Sequence, residues 1–158
     1  MEKPTLYMET TIPSYLLADP SRDLVASARQ EITRVWWRRD HARFAVSVSE
    51  GVLEEAEQGD RRAARKRLEF LSAFPVLDVT PEVLRLTQLY IQKRIVPLEK
   101  PRDAAHLAFA SAHHMQFLCT WNFKHIANAF AIHRLRELNE KEGLFTPLVC
   151  TPEELLGE

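Results

Sequence analysis

The side chains able to act together in chemistry are acids: Glu9, Glu54, Glu55 and Asp103, with the amide of Asn122. Glu9 ends the short apolar run TLYME (5–9), inside YMETTIPSYLLAD, where a buried strand stops and a helix begins. Asp103 stands in the first turn of a helix that leads into QFLCT (116–120), and Asn122 follows that run. Two or three carboxylates gathered with an amide and threonines suit Mg²⁺, which takes oxygen ligands in octahedral geometry and keeps several waters. Such an ion activates water and stabilises a leaving oxygen in phosphodiester hydrolysis. Each residue also has a plainer reading. Glu9 serves as the first solvated residue past a strand, and Asp103 as an acid complementing a helix dipole.

What would bring these residues together is the order of elements. Apolar spacing of three and four marks a helix over 23–40, through Leu24, Ala28, Ile32 and Val35. RFAVSVS (43–49) is a strand, and 50–59 a helix stopped by Gly59. Asp60 caps a helix over 60–74, and PVLDV (75–79) is strand-like. Thr80-Pro81 opens a helix over 81–94. A helix over 100–114, the strand 116–120, a turn at WNFKH, a helix over 126–141 and a strand over 146–150 complete the chain. The tail TPEELLGE repeats the Thr-Pro helix start. Alternating strands and helices predict a parallel sheet covered on both faces. Parallel strands share direction, so Glu9, Ser49 to Glu55, Asp78 with Thr80, Thr120 to Asn122, and Thr151 fall on one sheet edge.

Composition bounds the rest. A chain of 158 residues with 46% hydrophobic and 27% charged residues predicts one soluble globular domain, 1–158. A net charge of −1 excludes polyanion binding driven by bulk electrostatics, though not a local basic face. MEKPTLYMET has no basic region followed by an apolar core, and no run approaches the ~18–20 apolar residues of a membrane span. Cys119 and Cys150 make no metal motif and lie in apolar runs, as buried thiols do. The expected location is cytoplasmic.

YMETTIPSYL, SVSEGVLEEAEQGD, RDAAHLAFASAHHMQFLCTWNFKHIAN and PLVCTPEEL resemble, in that order, the PIN-domain family, nearest its VapC-like toxin ribonucleases. The resemblance implies a three-layer α/β/α fold with a central parallel sheet of about five strands. It implies a pocket holding Mg²⁺ or Mn²⁺, and hydrolysis of single-stranded RNA. By position it places the family's acids on Glu9, Glu55 (with Glu54 next in line), Asp103 and Asn122, as catalytic and metal-binding residues. Thr10 and Thr120 match the hydroxyls that orient them. Two positions depart from the family: Glu9 stands where Asp is usual, and Asn122 where Asp is frequent. The resemblance also implies a type II toxin–antitoxin pair, with a small antitoxin protein as partner and a homodimer. The competing reading is a weak or inactive PIN-like domain that binds RNA or protein.

Other signals are less specific. RRAARKR (61–67) is a solvated helix face or a surface for phosphate or a partner. Trp36 and Trp37 cannot share one helix face, so one packs inside and the other is a contact candidate. Trp121 is placed to stack a base at the pocket rim or to line the core, and Lys124 to touch substrate phosphate. His106, three residues after Asp103, is expected to pack or to hydrogen-bond a ligand rather than to bind metal itself.

Overall fold

The computed structural model describes residues 2–157. Among these, five strands form one sheet in the order β3-β2-β1-β4-β5, every pair parallel. They are β1 (Thr5–Met8), β2 (Ala45–Ser49), β3 (Val76–Leu77), β4 (Phe117–Cys119) and β5 (Leu148–Cys150). Between them run α1 (Thr11–Leu17), α2 (Leu24–Arg39), α3 (Glu50–Ala56), α4 (Arg61–Leu71), α5 (Pro81–Gln92), α6 (Pro101–Ala112) and α7 (Ala129–Glu142). A 3-10 turn at His41–Arg43 leads into β2. The alternation predicted from sequence is therefore present, with a five-stranded parallel sheet.

Local chemistry starts most helices. The side chains of Asp23, Ser49, Asp60 and Thr80 each accept a hydrogen bond from the backbone N–H three residues on. These satisfy donors that a helix start leaves unpaired. Gly143, at φ 68°, ends α7 in the left-handed conformation that favours glycine.

The chain steps from β1 outward to β2 and β3, then returns across the sheet to β4 and β5. Helix α1 packs against α2 and α4, and α5 packs against α6, while α3 touches both α4 and α6. Alternation in β1 serves both layers. Tyr7 stacks on Phe109 of α6 at 6.4 Å, while Leu6 and Met8 enter the opposite half of the core with Trp36. These side chains are fully buried, each worth about 1.5–3 kcal/mol of burial. No helix among the described residues is long and apolar enough to cross a membrane.

Several boundaries differ from the sequence expectation. β3 spans two residues instead of five; it is the sheet's edge, and Val76 and Val79 are exposed. Past Leu77 the chain turns to His113, whose Nε2 meets the Asp78 carbonyl at 2.8 Å. The helix expected from residue 126 starts at Ala129. Ile126 and Ala127 first close turns onto the Asn122 carbonyl, at 3.0 and 2.8 Å, and Asn128 then caps α7. The tail forms turns rather than a helix. Thr151 and Glu154 make a reciprocal pair, Thr151 N–H to Glu154 Oε2 at 2.7 Å and Glu154 N–H to Thr151 Oγ1 at 3.4 Å. That is a capping box with no helix behind it.

Candidate metal-binding carboxylate site

The strand order reverses between β1 and β4. In open parallel sheets the crevice at such a point, beyond the carboxyl ends of the strands, is where ligands bind. Glu9 follows β1 there, and Thr120 to Asn122 follow β4. Glu9 N–H bonds the Cys119 carbonyl at 3.1 Å, and the Glu9 carbonyl accepts Ile12 N–H at 3.0 Å to start α1. The backbone of Glu9 is thus fixed by strand and helix together.

Its side chain is fixed as firmly. Glu9 is 3% exposed, and its Oε1 accepts from Thr11 N–H at 3.1 Å, Thr11 Oγ1 at 2.5 Å and Thr120 Oγ1 at 2.6 Å. Oε2 receives no hydrogen bond among the described residues. Glu55 repeats the arrangement: one oxygen, Oε1, accepts Thr10 Oγ1 at 2.9 Å and the His106 Nε2–H, and the other is unclaimed. Asp103 does so again, its Oδ1 accepting the Asn122 amide at 3.3 Å. Each carboxylate therefore has one oxygen held by the protein and one left over. Candidate ligand atoms of Glu9, Glu55 and His106 lie within 4.8 Å of one another, those of His106 being already hydrogen-bonded to Glu55 and Tyr7. All three acids line a cleft of about 650 Å³, whose wall also carries Lys100, Arg102, Lys124 and His125.

The electrostatics follow from burial. Burial raises the pKa of Glu9, against the charge of His106 and the donors of Thr11 and Thr120. Burial also raises Asp103; His106 and His125 oppose it, and Glu55 adds to it. For Glu55 burial pushes upward too, but the His106 bond and charge, the Thr10 hydroxyl and Arg102 outweigh it and lower the pKa. His106 is the mirror case. Burial would lower it, yet the Glu55 bond and the charges of Glu9, Glu55 and Asp103 raise it. Three carboxylates thus crowd around one imidazole. A divalent cation fits this donor set, because a bound ion becomes the largest local charge and favours the ionised acids. Oxygen donors predominate, as Mg²⁺ and Mn²⁺ prefer.

No family model matches the sequence, and no curated protein does. A crystal structure of VapBC2 from Rickettsia felis, bound to a DNA fragment from their promoter, matches in three dimensions. The TM-score is 0.52 over 93% of this chain and 98% of the matched chain, at 15% identity. The two chains share a fold. With the parallel five-stranded sheet, this VapBC2 likeness makes the architecture PIN-like; at that identity it speaks for the fold alone.

Glu9, Glu55, Asp103 and Asn122 line one cleft, with Asp103 outside the 4.8 Å group. Glu55 rather than Glu54 faces the cleft, since Glu54 is exposed and lies 3.9 Å from Arg102. Thr120 orients Glu9, and Thr10 orients Glu55. Asn122 does not present its oxygen as a ligand. His125 N–H bonds Oδ1 at 3.1 Å, which turns the Nδ2 donors toward Asp103. The amide replaces what would be a carboxylate-to-carboxylate contact with a hydrogen bond.

Trp121 corrects the rim expectation. It is 4% exposed, its Nε1–H bonds Thr33 Oγ1 at 2.8 Å, and its ring packs on Tyr15, so no base can stack on it. The aromatic exposed beside it is Phe123, with the Arg29 guanidinium 5.0 Å from its ring centre. Lys124 does line the cleft. Trp37, the contact candidate, is covered by Phe70 of α4 and by Phe74 just beyond that helix, and stacks on His41. Sequence reasoning missed Thr11 and Tyr7. The period-two pattern held a signal for Tyr7, since positions 7 and 9 share a strand face.

Proposed function

We propose that this chain is a metal-dependent endoribonuclease of PIN type, the toxin of a type II toxin–antitoxin pair. The observation that carries the reading is the carboxylate pattern: Glu9, Glu55 and Asp103 each keep one oxygen hydrogen-bonded and one oxygen open in a single cleft. Glu9, Glu55 and Asp103 would hold Mg²⁺ or Mn²⁺. The ion, when bound, supplies Lewis-acid stabilisation of phosphoryl oxygens and lowers the pKa of water. The threonines fix the acids before substrate arrives, and Asn122 holds Asp103. Lys100, Arg102 and Lys124 offer cations to the phosphates of a single strand, which the acidic floor alone would repel.

The matched VapBC2 structure supports a small antitoxin protein as partner, and a homodimer is part of the same proposal. One observation favours a second reading. Because Asn122 donates to Asp103 instead of offering a ligand, the pocket has three carboxylates, and a weakened domain that binds RNA or protein follows if three do not suffice.

Cleavage of unstructured RNA with Mn²⁺, by wild type and by Asp103→Ala, separates the two. The nuclease reading expects wild-type cleavage and a loss of about 10²-fold or more in the variant. Equal activity in both would expose a contaminant. Absence of cleavage with every divalent ion, together with no heat of metal binding, would leave the binding module.

A further inference from the structure

A polar chain crosses the apolar core behind the site. Val52 N–H donates to Ser49 Oγ at 3.3 Å; Ser49 Oγ lies 2.7 Å from Tyr7 OH; Tyr7 OH lies 2.6 Å from His106 Nδ1. His106 Nε2 then bonds Glu55 Oε1. Ser49, Tyr7 and His106 are each 0% exposed. A core built for packing alone would use Phe and Leu at positions 7 and 106, because buried polar groups cost free energy unless every one is paired.

Hydrogen-bond capacity sets the direction of the last link. Glu55 as a carboxylate only accepts, so Nε2–H donates to it. With one proton on the ring, every bond runs the same way. Ser49 accepts from Val52 and gives its own proton to Tyr7, and Tyr7 gives its proton to Nδ1. Both ends of this chain belong to α3, since Ser49 caps the helix and Glu55 lies on it. The polar chain therefore closes a ring: α3, then β1 through Tyr7, then α6 through His106, then α3 again. Asp103 sits one turn before His106 on α6, on the same helix face.

We propose that Tyr7 and His106 are positioning residues for the metal-facing carboxylates, fixing which oxygen Glu55 turns to the cleft and the register of α6 against α3. The proposal rests on the reading of Glu55 as a metal ligand. Hydrogen bonds to a ligating carboxylate from behind typically govern about 10–100-fold in metal affinity or activity.

The test uses Tyr7→Phe, which deletes one buried oxygen and keeps the ring, with His106→Gln and His106→Leu. Gly51→Ala is the packing control. A Cβ at Gly51 would sit 3.5 Å from Ser49 Oγ and 3.8 Å from His106 Cε1, which are ordinary contacts. Expected are folded proteins in which Mn²⁺ binding weakens about 5–20-fold in Tyr7→Phe and about 10–100-fold in His106→Leu. KM for RNA should stay within about twofold, and added Mn²⁺ should restore kcat. His106→Gln, which retains a donor, should fall between wild type and His106→Leu, and Gly51→Ala should match wild type. Lower thermal stability with wild-type Mn²⁺ affinity in both Tyr7→Phe and His106→Leu would overturn the proposal.

Nitrogen-15 spectra of the histidine rings provide an arm that needs neither metal nor activity. A solvent-protected His106 Nε2–H that becomes fast-exchanging in Tyr7→Phe supports the positioning ring; one indifferent to Tyr7→Phe overturns it. If wild type binds no Mn²⁺ while this signal behaves as expected, the metal reading fails and the ring stands.

Discussion

Replacing Glu9 by Gln should make the metal-free protein more stable while abolishing its response to metal. The amide oxygen of Gln can accept the three hydrogen bonds that Glu9 Oε1 takes from Thr11 and Thr120, so none of those three donors is orphaned. Orphaning one would cost about 1–3 kcal/mol. What disappears is a charge at a 3%-exposed position beside Glu55. Relief of that kind at an active site typically returns about 0.5–2 kcal/mol. For a chain of this size that is a rise in Tm of roughly 1–8 °C. Glu9→Ala, which leaves all three donors facing a void, should move Tm the other way by more.

Thermal unfolding in EDTA near pH 8 reads these differences. The advantage of Gln should shrink as pH falls, because the raised pKa of Glu9 means its carboxyl takes up a proton in the folded state before the unfolded one. Saturating Mn²⁺ should invert the order: wild type gains about 2.7 kcal/mol at a hundred times Kd, and the variant gains nothing. If Glu9→Gln is less stable than wild type in EDTA at high pH, the Glu9 charge is compensated within the folded chain. The carboxylates would then need no cation to balance them.

Asn122→Asp puts a carboxylate where an amide now bonds Asp103 at 3.3 Å; in EDTA it should cost about 1–3 kcal/mol, with tighter Mn²⁺ binding by calorimetry as the compensating sign. Metal-free stability should peak in mildly acid solution, between the ordinary values of Glu, 4.5, and His, 6.5. The raised His106 stabilises below its unfolded value and loses this as pH rises through its folded one, while the lowered Glu55 loses its contribution as pH falls; a Tm maximum above about pH 8 would contradict this. Cys119 and Cys150 should resist a thiol reagent in the native protein and react fully in denaturant, since both are buried and burial pushes the Cys150 thiol up to about 12.

How much of this was legible in the sequence depended on whether a residue's task was local. Helix starts were, because Asp60 and Thr80 act on N–H groups three residues away. The parallel sheet was, because apolar runs such as FLCT alternate with helical spacing. Glu9, Glu55 and Asn122 could be placed on one edge from strand direction, whereas Asp103 came from the family resemblance. Trp121 stayed undecided between rim and core because its partner, Thr33, is 88 positions distant and no spacing rule joins them. The hydrogen-bond sense of Asn122 depended on the backbone of His125, and the Ser49–Tyr7–His106 chain on three elements meeting in the core. β3 was overestimated because PVLDV has strand composition, but an edge position gives it only one neighbour.

The separation between Glu9 and its donor Thr120, 111 positions, has a consequence for synthesis. A growing chain displays Glu9 well before Thr120, yet β1 cannot take its place until β2 and β4 exist to flank it. Domains assemble as they emerge, and contacts across such spans form late. A product truncated before β4 lacks Thr120, Asn122 and the second wall of the crevice, so it carries the first acid of a pocket that never closes. If the chain is a toxin, the order of its residues makes the nascent protein harmless to the ribosome that builds it until β4 has been made.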